Sequence, residues 1–115
     1  MAIENWSENT IFIHLPQEPK IADELKAITE IVRERGDCDV VIDFSSVDIL
    51  TTPGIATLLT LRKLLTDCGR KLVLCSVATA IKGIFTVTGL DGVFEFADDK
   101  FAALTRGRLL HHNSN

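Results

Sequence analysis

The sequence predicts an α/β domain on a mixed, mostly parallel sheet of about five strands with four helices. Three observations point there. Short apolar segments alternate along the chain with longer ones whose apolar residues recur every three or four positions, the order that builds parallel sheets with right-handed crossovers. Two of the short segments, Val40 to Phe44 and Leu72 to Cys75, scarcely alternate between apolar and polar residues, as expected of strands buried on both faces. Gly36, Gly69 and Gly89 fall just beyond the helical segments, where glycine commonly ends a helix.

Taken in order, Ile3 to Trp6 reads as a short strand, with Ser7-Glu8-Asn9 as the turn into a second. That second strand, Thr10 to Leu15, puts Ile11, Ile13 and Leu15 on one face and completes an antiparallel hairpin. Pro16 and Pro19 bracket a loop. From Ile21 to Arg35 the apolar residues Ile21, Leu25, Ile28 and Val32 mark one side of a helix, stopped by Gly36. Asp39 to Phe44 is a strand. Thr52 is expected to cap the next helix, with Pro53 at its first position, where a missing N–H costs nothing. Gly54, Leu58, Leu61 and Leu65 align along that helix to about Asp67. Lys71 to Cys75 is a strand, Thr79 to Thr86 a helix, and Val93 to Phe96 a short strand. Asp98-Asp99 opens a last helix to about Leu110, its acidic start matching the helix dipole.

Composition narrows the function. The 115 residues fit one domain, with a core over about residues 10–110 and a tail from His111 to Asn115. Twelve basic residues against sixteen acidic ones give a net charge of −4, which argues against a nucleic-acid track. No apolar run approaches the roughly 18–20 residues that span a bilayer. Met1 to Trp6 lacks the basic and apolar regions of a signal peptide. Cys38, Cys68 and Cys75 are odd in number and contain no CxxC pair, so neither a disulfide framework nor a metal site is expected. A reducing, cytoplasmic setting follows, with no cofactor.

Asp43-Phe44-Ser45-Ser46-Val47 followed by Gly54-Ile55 resembles the D-L-S-x-V … D-S-S-G-L signature of STAS domains, which include bacterial anti-sigma factor antagonists. The likeness continues through Arg70 to Cys75, Ala80 to Phe85 and Thr88-Gly89-Leu90, and covers nearly the whole chain from about Thr10. It implies a single STAS-like domain that binds a serine-kinase-type anti-sigma factor and so releases a sigma factor, with a PP2C-type phosphatase as an indirect partner. In that family the kinase phosphorylates the serine before the motif glycine and ends the binding, because a dianion in a close-packed interface adds desolvation and repulsion. This chain departs from the pattern twice. Thr51-Thr52-Pro53-Gly54 stands for Asp-Ser-Ser-Gly, so the acceptor position falls on Pro53, which has no hydroxyl. The loop that usually carries G-E-L-D reads Leu15-Pro16-Gln17-Glu18-Pro19. The resemblance therefore implies a partner surface of Glu18, Thr51, Thr52, Pro53, Gly54 and Ile55.

Each candidate has a plainer reading. Thr52 is a helix cap or a displaced phosphoacceptor, and Thr51 is a second candidate acceptor. Asp43 and Asp48 are better read as bonding within a local turn than as an acid/base pair. His14 falls on the polar face of its strand and needs no function, and His111 and His112 read as a solvated tail. Ile55 and Leu59 widen the apolar stripe of their helix, which either packs fully or leaves an edge for a partner. Lys82 is a further candidate interface residue. No nucleophile–base cluster stands out, so an enzyme is not expected. The alternative to an antagonist is a STAS-like sensor or scaffold module that binds a small ligand or nucleotide.

Overall fold

The computed structural model describes residues 3–7 and 9–105. Its elements are β1 (Ile3–Ser7), β2 (Thr10–His14), α1 (Ile21–Arg35), β3 (Asp39–Asp43), α2 (Thr52–Asp67), β4 (Leu72–Cys75), α3 (Thr79–Val87) and β5 (Glu95–Ala97). A fourth helix, α4, is described over residues 100–105. The expected end of this helix near Leu110, and the tail with His111 and His112, lie outside the described residues.

The five strands lie side by side in chain order, β1-β2-β3-β4-β5. β1 runs antiparallel to β2, and every later neighbour is parallel. The strand period of two sorts their side chains cleanly. Ile11, Ile13, Leu15, Val40, Ile42, Phe44, Leu72 and Leu74 face one core, which also receives Leu25, Ile28 and Val32 of α1, Leu58, Leu61 and Leu65 of α2, and Ile81 and Phe85 of α3. Phe12, Val41, Val73, Cys75 and Ala97 face the other side, where Ala103 of α4 joins them. The central strands are thus covered on both faces, as their unbroken apolar runs require. Phe85 meets the edges of Phe94 and Phe96 at centroid separations of 5.4 and 5.5 Å.

Helix ends follow their local chemistry. Gly36 takes φ 68° and donates its N–H to the Val32 carbonyl, as a glycine beyond a helix end does. Asp99 caps α4 by accepting the N–H of Ala102 at 2.9 Å. Val93, expected in β5, belongs instead to a turn in which its N–H bonds the Leu90 carbonyl, so the strand begins at Glu95. At the end of the sheet where β3 and β4 begin, the buried Asp39 carboxylate accepts the Lys71 amide at 2.8 Å and pairs with Arg70 at 3.2 Å. That tie fixes the register there. The opposite end carries the loops between β2 and α1 and between β3 and α2.

Candidate functional site

In a parallel sheet, the loops that leave the carboxyl ends of adjacent strands converge, and ligands bind there. Here the loops are residues 15–20 after β2 and 44–51 after β3. They are joined by one carboxylate. Glu18 Oε2 accepts the backbone N–H of Thr51 at 2.7 Å and its hydroxyl at 2.6 Å. The carboxylate sits at the positive end of the α2 dipole, where a negative charge is stabilised.

This contact corrects the expected helix start. Thr51, not Thr52, is the residue before the helix: its backbone is extended (φ −94°, ψ 167°) and its carbonyl accepts the Ile55 N–H at 3.1 Å. Thr52 becomes the first helical residue and Pro53 the second. Either threonine suits a cap, and proline fits anywhere in the first turn, where amide partners are missing anyway. Glu18 decides the matter by holding Thr51 in the extended form. The Thr51 hydroxyl is therefore turned to Glu18 and makes no cap bond to the first-turn amides. Thr52 makes no hydrogen bond to Gly54 or Ile55.

The six residues expected at the surface come together. Thr51, Thr52 and Pro53 are exposed, Glu18 and Ile55 are half-buried, and Gly54 is buried. A Cβ on Gly54 would meet Leu50 at 3.1 Å, Ile21 at 3.2 Å and the Glu18 carboxylate at 3.4 Å. Glycine is needed here so that the starts of α1 and α2 can approach. Ile49, which the sequence did not single out, lies two residues before Thr51 and is 64% exposed. Ile55 and Leu59 pack against the core while remaining partly accessible. Lys82 lies elsewhere, on α3, with its ammonium 5.9 Å from the Phe96 ring centre.

The same end of the sheet holds a second group. His14 and Asp43 are directly opposite each other in the β2–β3 register, at the last residues of their strands. His14 Nδ1 lies 2.8 Å from Asp43 Oδ2, and His14 Nε2 lies 2.9 Å from Ser46 Oγ. Asp43 also accepts the N–H of Ser45 at 3.0 Å and the Ser45 hydroxyl at 2.9 Å, the turn bonding expected of it. Asp48 is exposed on the same loop and takes no part. Burial alone would raise the Asp43 pKa, but the bonds from His14 and Ser45, with the charge on His14, outweigh it and hold the carboxyl below its ordinary value. An ionised Asp43 can only accept, so Nδ1 carries the proton. In the neutral ring, Nε2 then accepts from the Ser46 hydroxyl. His14 thus has a defined place that the sequence did not reveal, because its partners lie 29 and 32 residues away.

Cys38 and Cys75 are buried and Cys68 is exposed, all three as free thiols. Among the described residues, no group of histidine, cysteine and acidic side chains could hold a metal ion. No helix of the described residues is long and apolar enough to cross a membrane.

Known proteins place these features in a family. A curated relative, described as a candidate anti-sigma factor antagonist (BtrV) of Bordetella bronchiseptica, is 27% identical over 82 residues, covering 71% of each chain. The crystal structure of a candidate anti-sigma factor antagonist of Thermotoga maritima superposes with a TM-score of 0.80 over 92% of both chains at 13% identity. The anti-sigma factor antagonist SpoIIAA in its unphosphorylated form gives a TM-score of 0.73 at 15% identity, over 92% of this chain and 96% of that one. The STAS domain model matches residues 17–103, a stretch that takes in Glu18, the turn after β3 and the whole of α2. The chain belongs to the STAS domain family and resembles its anti-sigma factor antagonists, which supports a regulatory role.

Proposed function

We propose that this protein is a cytoplasmic regulator that acts by binding, not by catalysis, and that its partner is a serine-kinase-type anti-sigma factor. The docking face is Glu18 with Thr51, Thr52, Pro53, Gly54 and Ile55, to which Ile49 adds an exposed apolar anchor. One observation carries the reading: Glu18 clasps Thr51 and so holds two loops and the start of α2 as one preformed surface. A surface already ordered loses little entropy on binding, and Pro53 adds to this by fixing its own φ.

The family's switch cannot operate at Pro53, which has no hydroxyl to accept a phosphate. A neutral residue there corresponds to the unmodified state, so binding at this position is constitutive. Of the two neighbouring threonines, Thr51 is the poorer acceptor, since a phosphate there would face the Glu18 carboxylate. Thr52 is exposed and has no such carboxylate bonded to it among the described residues, so it is the less hindered of these two candidate acceptors. A cognate kinase-type anti-sigma factor tests the reading directly. Co-purification of the two chains, weakened about tenfold or more by Thr52→Glu or Ile49→Asp, is the expected result. Unchanged affinity in both variants would place the docking face elsewhere.

A further inference from the structure

Among the described hydroxyls around the docking face, Ser46 is the one paired with an imidazole that can take its proton. Ser46 Oγ lies 2.9 Å from His14 Nε2, and the ring is held from behind by Asp43 at 2.8 Å. This is the order of contacts that activates a serine: hydroxyl to imidazole, imidazole to carboxylate. We infer that Ser46 is the modifiable hydroxyl of this surface, prepared by His14 and Asp43 to accept a phosphoryl group from a nucleoside triphosphate that a docked partner presents. The source of the donor rests on the partner reading above; the reactivity of Ser46 does not.

In the transfer, Ser46 Oγ bonds to the γ-phosphorus and the bond to the β,γ-bridging oxygen breaks. The electron pair leaves with the nucleoside diphosphate, and the serine proton passes to His14 Nε2. Charge explains why a phosphoryl group suits the site. The product is a phosphate dianion beside an imidazolium whose other N–H remains on Asp43, so the new charge has a cation waiting. A neutral acyl ester would make no such pair. The neighbouring hydroxyls lack the arrangement. Thr51 donates to Glu18 and Ser45 donates to Asp43, so a phosphate on either would face a carboxylate. Among the described residues, no base is bonded to the Thr52 hydroxyl. Ser46 is half-buried while the His14 side chain is 41% exposed, which leaves the pair open to an incoming group from the loop side. The outcome is a switch set within the β3–α2 loop, five residues before Thr51, in a chain that has none at Pro53.

An alkyl fluorophosphonate tests the serine without any partner. Attack by Ser46 Oγ would form the O–P bond, expel fluoride and pass the proton to His14. Intact mass and peptide mapping should show one adduct, on Ser46. Ser46→Ala should abolish it. His14→Ala should slow it about a hundredfold, with recovery on adding imidazole. His14→Gln, which keeps hydrogen-bonding atoms but no base, serves if the alanine variant fails to fold by circular dichroism. No adduct, an adduct on another residue, or labelling as fast without His14 would each overturn the inference. With a kinase-type anti-sigma factor shown to bind, ATP should add one phosphate at Ser46, and a phosphate on Thr52 or none at all would overturn it. If no such kinase binds, the docking reading fails and the fluorophosphonate result alone decides the role of Ser46.

Discussion

Glu18 and Thr51 lie 33 residues apart and are bonded twice, through the backbone N–H and the hydroxyl of the threonine to a single carboxylate oxygen. Hydrogen bonds to charged groups contribute about 1.5–3 kcal/mol when shielded, and part of that is lost at a half-exposed site. Glu18→Ala should therefore lower stability by about 1 kcal/mol. In a double-mutant cycle with Thr51→Ala, which removes the hydroxyl bond and keeps the N–H bond, urea unfolding should return a coupling of about half that size. Additive losses would mean that the two residues act independently.

The one-residue shift of the helix start separates two adjacent threonines. Thr51→Ala removes the hydroxyl bonded to Glu18 and should cost about 1 kcal/mol, as the loss of one hydrogen bond to a carboxylate does. Thr52→Ala removes a hydroxyl that caps nothing and should change stability by less than about 0.5 kcal/mol. A reversed order in thermal or urea denaturation would restore Thr52 as the cap.

Gly54 is closed in by Leu50, Ile21 and Glu18. Valine there would have to push aside at least two of them, at a cost of about 1–3 kcal/mol. The same displacement would pull Glu18 from Thr51, so Gly54→Val should also weaken partner binding. A variant of native stability would show that the helix starts can separate freely.

Asp43 gives the molecule a specific weakness in acid. Its carboxyl titrates lower in the folded chain than its ordinary value of 3.8. The stabilisation it provides is fully present above that value and is lost as pH falls through the lower, folded one. Wild type should therefore lose its advantage over Asp43→Asn between about pH 5 and pH 2, and a constant gap in urea midpoints across that range would exclude the linkage.

The three thiols should react in two classes. Burial pushes Cys75 up to about 11, aided by the nearby Asp43 charge, and burial also raises Cys38. Cys68 is exposed at the end of α2. A thiol reagent at about pH 8 should modify Cys68 quickly and the other two only on unfolding, since thiolate and access are both needed. Rapid modification of two or three thiols in the native protein would contradict the packing around Cys38 before β3 or Cys75 in β4.

The elements were legible because they are local. Four-three-four spacing along α1, the glycine beyond it and the unbroken apolar runs of β3 and β4 each carry their own instruction in a few residues. The proposed partner surface comes from the resemblance to a known motif, in which Thr51 to Ile55 form one short stretch. What could not be read depended on residues far apart in sequence. The choice between Thr51 and Thr52 as the helix start was settled by Glu18 from another loop. His14 looked like an ordinary outward residue of β2, and only the parallel register of β2 on β3 sets it opposite Asp43 and within reach of Ser46. The late start of β5 is only partly of this kind: a local turn takes the Val93 amide, while the Val93 carbonyl accepts from Arg62 of α2, 31 residues away.

The bond between Glu18 and Thr51 also determines what kind of object a partner or an antibody can recognise. A synthetic peptide of residues 44–67 would contain both threonines and the proline of the proposed docking face, yet it would lack Glu18 and so the bonds that hold Thr51 ahead of its first turn. The epitope is discontinuous. Reagents raised against the linear segment should bind the native protein poorly, whereas those selected on the folded domain should lose their target when it unfolds.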